Sequence, residues 1–265
     1  MEQEMVREQM GATVLAERKT LFEMKLAPVA RLADAANLQQ FVNLLRHDET
    51  QRLRRSVAEA MAVHSTSFFR DEAPFEMLRR VIVPELMRMR GKQRKLRVWS
   101  AACSTGQEVY SVAMLLREHF PELVEWDVTI VGTDVSQDAV SYARRGRYKQ
   151  TEVDCGLPIS MLDRYMRRDG GVWEVCSELR EMCEFRCLDL CDKTSGLPGF
   201  DLVLLRNVLL YLPDIERTGV LRDVWRQMSR DGYLMLGQAE QAEDWTRVFE
   251  VELAGGSCCY RPLLM

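Results

Sequence analysis

The chain has 265 residues, 47% hydrophobic and 29% charged, a balance that suits one sizeable soluble domain plus a small companion. Its formal net charge of −4 at pH 7 argues against a general nucleic-acid binder but leaves room for a local basic face. No apolar run reaches the roughly eighteen residues of a membrane span, so direct membrane insertion is not expected. The opening Met1-Glu-Gln-Glu-Met-Val-Arg-Glu-Gln lacks the basic-then-apolar pattern of a secretion signal, which makes the cytoplasm the expected location.

Residues 1–62 carry helical spacing, with Phe41, Leu44 and Leu45 followed by Leu53, Val57 and Met61. They read as a small all-α domain behind a ragged first stretch of about 12 residues, where chain ends are poorly tied down. The domain boundary is placed at 1–72 and 73–265. A connecting helix is expected over 74–90, with Pro74 near its start and Phe75, Leu78, Val81 and Ile82 on one side.

From Leu96 onward the patterning alternates. It predicts a strand at 97–101, a helix at 106–118, a strand at 127–133 and a helix at 136–145. Further strands are expected at 183–188, 201–205, 232–237 and 247–252, with a helix near 215–229. Such alternation implies an α/β fold with a doubly wound, mostly parallel sheet. Residues 147–182 break the rhythm: a short helix from Ser160 to Arg167 precedes Asp169-Gly170-Gly171 between two strands, which reads as a small inserted antiparallel β element. A last strand, Ser257 to Arg261, follows Gly255-Gly256 and should form a hairpin with its predecessor.

The eight cysteines are expected to be reduced thiols. Cys103, Cys176, Cys187 and Cys191 lie in or beside apolar strand-like segments, where free cysteine packs as a small hydrophobe. Cys183, Cys187 and Cys191 would spread about 13 Å apart on a strand and have no nearby His, so no metal site is expected. Cys258 and Cys259 alternate faces in a strand.

The chemistry concentrates in residues 97–111, Arg-Val-Trp-Ser-Ala-Ala-Cys-Ser-Thr-Gly-Gln-Glu-Val-Tyr-Ser, a strand, a turn at Gly106 and a helix. In open α/β sheets such a turn receives a nucleoside-type cofactor. The next strand, Val128 to Asp134, ends in an acid placed to bind two ribose hydroxyls. A P-loop would need Gly-x4-Gly-Lys-Ser/Thr, which does not occur, and a dinucleotide would want Gly-x-Gly-x-x-Gly. S-adenosylmethionine has no phosphate and tolerates a turn of small residues such as Ala101, Ala102, Ser104 and Thr105. Asp134 would then meet the ribose and Glu108 the ammonium group. An ordinary βαβ unit with an exposed acid stays open on this evidence.

Four strings in order carry a resemblance: His64-Ser-Thr-Ser-Phe-Phe-Arg70-Asp-Glu, Trp99 to Ser111, Gly132-Thr-Asp134-Val-Ser, and Arg206-Asn-Val-Leu-Leu-Tyr211-Leu. From about residue 35 to its end, the chain resembles the CheR family of chemotaxis receptor methyltransferases. That resemblance implies a Rossmann-like S-adenosylmethionine methyltransferase fold. It also implies methyl transfer to glutamate carboxylates on chemoreceptor cytoplasmic helices, with S-adenosylhomocysteine as product. By similarity His64, Thr66, Arg70, Glu108, Asp134, Asp189, Leu190, Arg206 and Asn207 would line the cofactor pocket. Arg70 and Tyr211 would lie nearest the reacting atoms.

Arg46, His47, Arg52, Arg54 and Arg55 crowd one short region. Family members use a basic helix here to meet the receptor; a solvated helix face is the other reading. The protein is expected to be a monomer. Departures from the family pattern are His64 for a common Asn, Gln107 for a frequent Glu, Val109 for a usual Pro, and Gly237-Gln-Ala239-Glu240 for Gly-His-Ser-Glu. Relatives that dock on a receptor's tail peptide carry a longer glycine-rich loop where this chain has only Arg168 to Val172. Independence from a tail pentapeptide is therefore expected. A small-molecule methyltransferase and a catalytically weak cofactor-binding scaffold are the competing functions.

Overall fold

In the computed structural model, which describes residues 26–47, 53, 56–57, 60, 66–191, 199–240, 248–254 and 257–263, the alternation after Leu96 forms a seven-stranded sheet. Its strands are β1 (Lys95–Ala101), β2 (Asp127–Asp134), β6 (Cys183–Cys187), β7 (Phe200–Leu205), β8 (Met228–Leu236), β9 (Phe249–Ala254) and β10 (Ser257–Pro262). The order is β6-β2-β1-β7-β8-β10-β9. The first five are parallel, β10 runs antiparallel to β8, and β9 pairs antiparallel with β10. The expected doubly wound sheet and its closing hairpin are thus both present.

Period-two alternation divides the side chains between two faces. Leu96, Val98, Ile130, Leu202, Leu204, Tyr233 and Met235 enter one apolar cluster, which includes Val109, Val112, Ala113 and Leu116 of the helix Gln107–His119. Trp99, Ala101, Val131, Val203, Leu205, Leu234 and Leu236 enter the other, with Val220, Leu221 and Val224 of the helix Asp214–Gln227. Each face therefore has its own helical cover.

The connecting helix differs from expectation. It begins at Glu72, runs as α-helix to Met77, widens to a π-helix over Leu78–Ile82, and resumes over Val83–Arg90. Pro84 supplies the reason: it has no N–H to donate and its ring crowds the preceding turn. The helix accommodates it by lengthening a turn, so that the Val83 N–H donates to the Leu78 carbonyl.

The inserted element is a three-stranded antiparallel sheet of β3 (Arg147–Lys149), β4 (Met166–Asp169) and β5 (Val172–Val175), in the order β3-β5-β4. Cys103 and Cys176 are buried as expected, Cys259 is buried and Cys258 exposed on alternate faces, whereas Cys187 and Cys191 are exposed. Cys187 ends β6, which among the described residues is an edge strand of the sheet.

The chain divides into two compact units, Met1–Val63 and His64–Met265. In the first, the helix Leu38–Arg46 is capped by Asn37, whose side chain accepts the Gln40 N–H at 2.9 Å, and Phe41 is buried with Leu26 and Val29. Phe68 is buried in the core of the second unit. Among the described residues no helix is long and apolar enough to cross a membrane.

At the amino edge of the sheet, Arg90 donates to Asp201 (Nε–Oδ1 2.7 Å) and to both oxygens of Asp231, including Nη1–Oδ2 at 2.8 Å. The Arg90 hydrogen bonds hold the Asp231 carboxyl below the usual carboxylate range. A lowered folded-state pKa contributes stability in full above the unfolded value of about 3.9, and that stability is lost as pH falls through the folded value. Asp231→Asn should therefore lower stability at pH 7 by about 1 kcal/mol, the solvent exposure of Asp231 limiting the effect. The gap from the parent should close below about pH 4, read as urea midpoints at pH 7, 5 and 3. A gap constant across that range would exclude an ion-pair origin.

Candidate active site

The chain leaves β1 for β2 and β6 on one side and returns to β7 on the other, so the carboxyl ends of β1 and β7 diverge at a switch in strand order. The turn after β1 passes through left-handed conformations at Ala102 (φ 59°), Ser104 (φ 51°) and Gly106 (φ 92°). Gly106 is required twice over. Its φ suits glycine, and a Cβ there would lie 2.7 Å from the Cβ of Ala143 in the neighbouring helix Gln137–Arg145.

Asp134, at the tip of β2, grips this turn. Its Oδ2 accepts the Ser104 N–H at 2.8 Å and its Oδ1 the Ser136 N–H at 3.0 Å. The residue is 6% exposed. Each oxygen keeps acceptor capacity for a further donor. Tyr148 of the inserted element donates its hydroxyl to the Thr105 carbonyl at 2.8 Å, tying that element to the same turn. Burial, reinforced by the Asp134 and Glu108 carboxylates, pushes the Cys103 thiol well up, so it stays protonated.

Across the switch point lies a buried charge network. The Arg206 side chain, 1% exposed, donates from Nη1 to Glu108 Oε2 at 2.8 Å. Its Nη2 donates to the Arg70 carbonyl and to Asp71 Oδ2, both at 2.8 Å. Ser100 Oγ donates to the other Glu108 oxygen at 2.8 Å. Arg206 and Glu108 thus meet each other and join the end of β7, the helix after β1 and the 70–71 turn. Asp71 pairs with Arg206.

The Ser67-Phe68-Phe69-Arg70 string is locked by its aromatic pair. Phe68 packs edge-on to Tyr148 with ring centroids 5.1 Å apart, and the Phe69 N–H donates to Ser111 Oγ at 2.9 Å. A Cβ on Gly156 would lie 2.1 Å from the Phe68 carbonyl oxygen, so only glycine fits there. Arg70 and Thr66 follow and precede this wedge, both half-buried.

Beyond β7, Asn207 adopts φ 59° and is half-buried. Leu209–Tyr211 form a 3₁₀ turn that leaves Tyr211 63% exposed. Glu240, buried, accepts the N–H groups of Asn207, Leu209 and Gly237. Leu190 is buried in the cluster containing Trp99 and Ala101, and Asp189 accepts the Cys191 N–H at 2.9 Å. Arg46 is exposed in the last turn of its helix in the first unit. His64, Arg52, Arg54 and Arg55 lie outside the described residues.

The described residues include seven non-glycine positions with positive φ, and five of them (Phe69, Asp71, Ala102, Ser104 and Asn207) lie in these three loops. Backbone strain of this kind collects at functional sites. Ser104 Oγ and Arg206 Nε are buried without a hydrogen-bond partner. Small side chains at the turn, an anchored acid with spare lone pairs and an orphaned hydroxyl suit a phosphate-free nucleoside cofactor. The sequence reading assigned no role to Asp71, Ser111, Tyr148 or Glu240. Asp71, Ser111 and Glu240 had one signal, their place in strings aligned with the family; Tyr148 had none, because its partner is distant in sequence.

Residues 64–254 match the family model described as CheR methyltransferase, SAM binding domain. A chemotaxis protein methyltransferase of Pseudomonas aeruginosa is 35% identical over 238 residues, covering 87% of this chain and 86% of the relative. One from Pseudomonas putida is 34% identical over 233 residues, covering 86% and 84%. One from Borreliella burgdorferi is 27% identical over 235 residues, covering 87% and 83%.

Arg206→Lys tests the network. An ammonium cannot replace a planar fork that reaches Glu108, Asp71 and a carbonyl at once, so the change should cost about 2–4 kcal/mol. Urea unfolding at pH 7 reads this directly. An unchanged midpoint would mean that the bonds to Arg206 hold nothing together.

Proposed function

The chain belongs to the CheR methyltransferase family, with S-adenosylmethionine as its cofactor, and from that premise we propose that it methylates glutamate side chains on chemoreceptor cytoplasmic helices. The products are glutamate methyl esters and S-adenosylhomocysteine. The observation that carries the reading is the meeting of the family's strings at one switch point, where Arg206 bonds Glu108 from one string and the Arg70–Asp71 turn from another.

S-adenosylmethionine supplies an electrophilic methyl group on a sulfonium. Asp134 would hold the ribose hydroxyls with its remaining acceptor capacity, and Ser104 offers an unpaired hydroxyl beside it. Asp189 and Leu190 would flank the adenine, and Thr66, Glu108, Arg206 and Asn207 the methionine end, with His64 as a further contact. The acceptor carboxylate is ionised at neutral pH, so no general base is needed. What remains is positioning: Arg70 grips the acceptor and Tyr211 orients it, while the closed 68–71 turn helps exclude water.

The basic residues Arg46, Arg52, Arg54 and Arg55 would receive the acidic receptor helices. The substrate is engaged without a tail pentapeptide. In support, Gly170 and Gly171 have φ 54° and 94° between the paired Asp169 and Val172, the pattern of a minimal two-residue hairpin turn. Such a turn offers no loop to wrap a peptide. The protein is proposed to act as a cytoplasmic monomer.

Incubation with labelled cofactor and a receptor cytoplasmic fragment should yield base-labile methyl esters. Arg70→Ala should reduce their rate by about a hundredfold or more, in line with the loss of a charged contact to the reacting group. Label on free metabolites alone would favour a small-molecule enzyme, and cofactor binding without label would favour a scaffold. Charge reversal at Arg52 and Arg55 should weaken receptor methylation and leave S-adenosylhomocysteine affinity intact. Titration with a receptor tail pentapeptide should show no micromolar binding; a micromolar complex would refute tail independence.

A further inference from the structure

We propose that Glu240 is a positioning residue for this reaction, a buried anion that fixes the backbone of Asn207 and of the Tyr211 turn relative to each other. The inference rests on the methyltransferase reading above and extends it to a residue to which that reading gives no role.

Glu240 is 2% exposed. Its Oε2 accepts the Asn207 N–H at 2.7 Å and the Gly237 N–H at 2.8 Å, and its Oε1 accepts the Leu209 N–H at 2.8 Å. Among the described residues no basic side chain forms a salt bridge with it. A carboxylate buried in this way is tolerable only because backbone donors replace its lost water. Those donors come from two loops, the one after β7 and the one after β8, so a single side chain sets their spacing.

The surroundings leave little slack. A Cβ on Gly237 would stand 2.6 Å from Glu240 Oε2 and 2.8 Å from Asn207 Nδ2. Asn207 sits at φ 59°, in the left-handed region that asparagine tolerates, and Glu240 holds its N–H there. The Leu209 carbonyl accepts from Arg217 Nε at 2.7 Å, and the Tyr211 N–H donates to the Val208 carbonyl at 3.0 Å. The turn is therefore pinned at its N–H by Glu240 and at its C=O by Arg217. Tyr211 itself stays exposed on this fixed backbone. A fixed backbone carrying an accessible hydroxyl is what orienting an incoming acceptor requires.

Glu240→Gln tests this. An amide has one acceptor oxygen, and with that oxygen in the Oε2 position its NH2 group confronts the Leu209 N–H. Hydrogen exchange at the Leu209 amide should accelerate about tenfold or more, and kcat on a receptor fragment should fall about 10- to 100-fold. S-adenosylhomocysteine affinity, by titration calorimetry, should change less than about threefold, because the Asn207 bond survives. In a Tyr211→Phe background the same change should add little to the loss of kcat, since both act on one group. Arg217→Met, which frees the turn from its other side, should lower kcat severalfold with the same unchanged affinity, and serves if Glu240→Gln does not fold. A lowered melting temperature with normal kcat per folded molecule, or unchanged exchange at Leu209, would overturn the role. A parent protein that fails to bind S-adenosylhomocysteine would overturn the functional reading and this role with it; a parent that binds, with a variant equal to it in kcat, overturns the role alone.

Discussion

Arg206 leaves the end of β7, passes within 5.8 Å of the Phe75 ring and ends among Glu108, Asp71 and the Arg70 carbonyl. A lone guanidinium so deeply buried would cost several kcal/mol, and it is tolerated because two carboxylates and a carbonyl meet it. The relation is mutual, since Glu108 and Asp71 would otherwise be carboxylates buried or half-buried without a cation. Three stretches far apart in the chain are therefore fixed to one another by a single planar group. The fork matters as much as the charge, because only guanidinium presents several donors in fixed directions.

Asp134 and Glu240 do for the backbone what Arg206 does for the side chains. Each is a buried carboxylate that accepts N–H groups from two different loops: Ser104 and Ser136 in one case, Asn207 and Gly237 in the other. The loops they hold contain Asn207 and the strained positions Ala102 and Ser104. Local preference alone would release that strain. Anchoring by ions spends folding free energy on a fixed geometry, the arrangement expected where a site must be preorganised before its ligand arrives.

Much of this was legible in the sequence because period and punctuation are local. The alternation of Leu96, Val98 and Ile130 with Trp99, Ala101 and Val131 announces a sheet covered on both faces, and Gly106 marks a turn that the structure places at positive φ. The widening at Leu78–Ile82 was not read, although Pro84 was visible, because a helix can answer a proline by kinking, ending or bulging. The exposure of Cys187 and Cys191 has no local trace, because composition reveals neither that β6 lies at an edge nor that Cys191 falls in a turn beyond it. The residue types at the site were legible by resemblance, but the pairings were not. Arg206 with Asp71, Phe69 with Ser111, and Tyr148 with Thr105 are long-range bonds with no periodic trace.

Charge at the carboxyl rim brings these strands together. Among the described residues, Asp134, Glu108, Asp71 and Glu240 outnumber the guanidinium groups of Arg206 and Arg70, so these groups together make a net anionic environment in a partly desolvated setting where charge interactions are strong. Such a rim favours a cationic sulfonium cofactor and favours its product less, because the sulfur loses its charge when the methyl group departs. The same rim repels an incoming glutamate carboxylate, and this repulsion explains why the proposed acceptor path needs an arginine on it. Arg206 cannot serve, since its amino groups are committed to Glu108, Asp71 and a carbonyl. Arg70, half-buried on the turn that Arg206 itself fixes, is the residue proposed to receive the substrate. The buried arginine thus sets the place of the one that would work on the acceptor, and the order of events runs from folding constraint to chemistry.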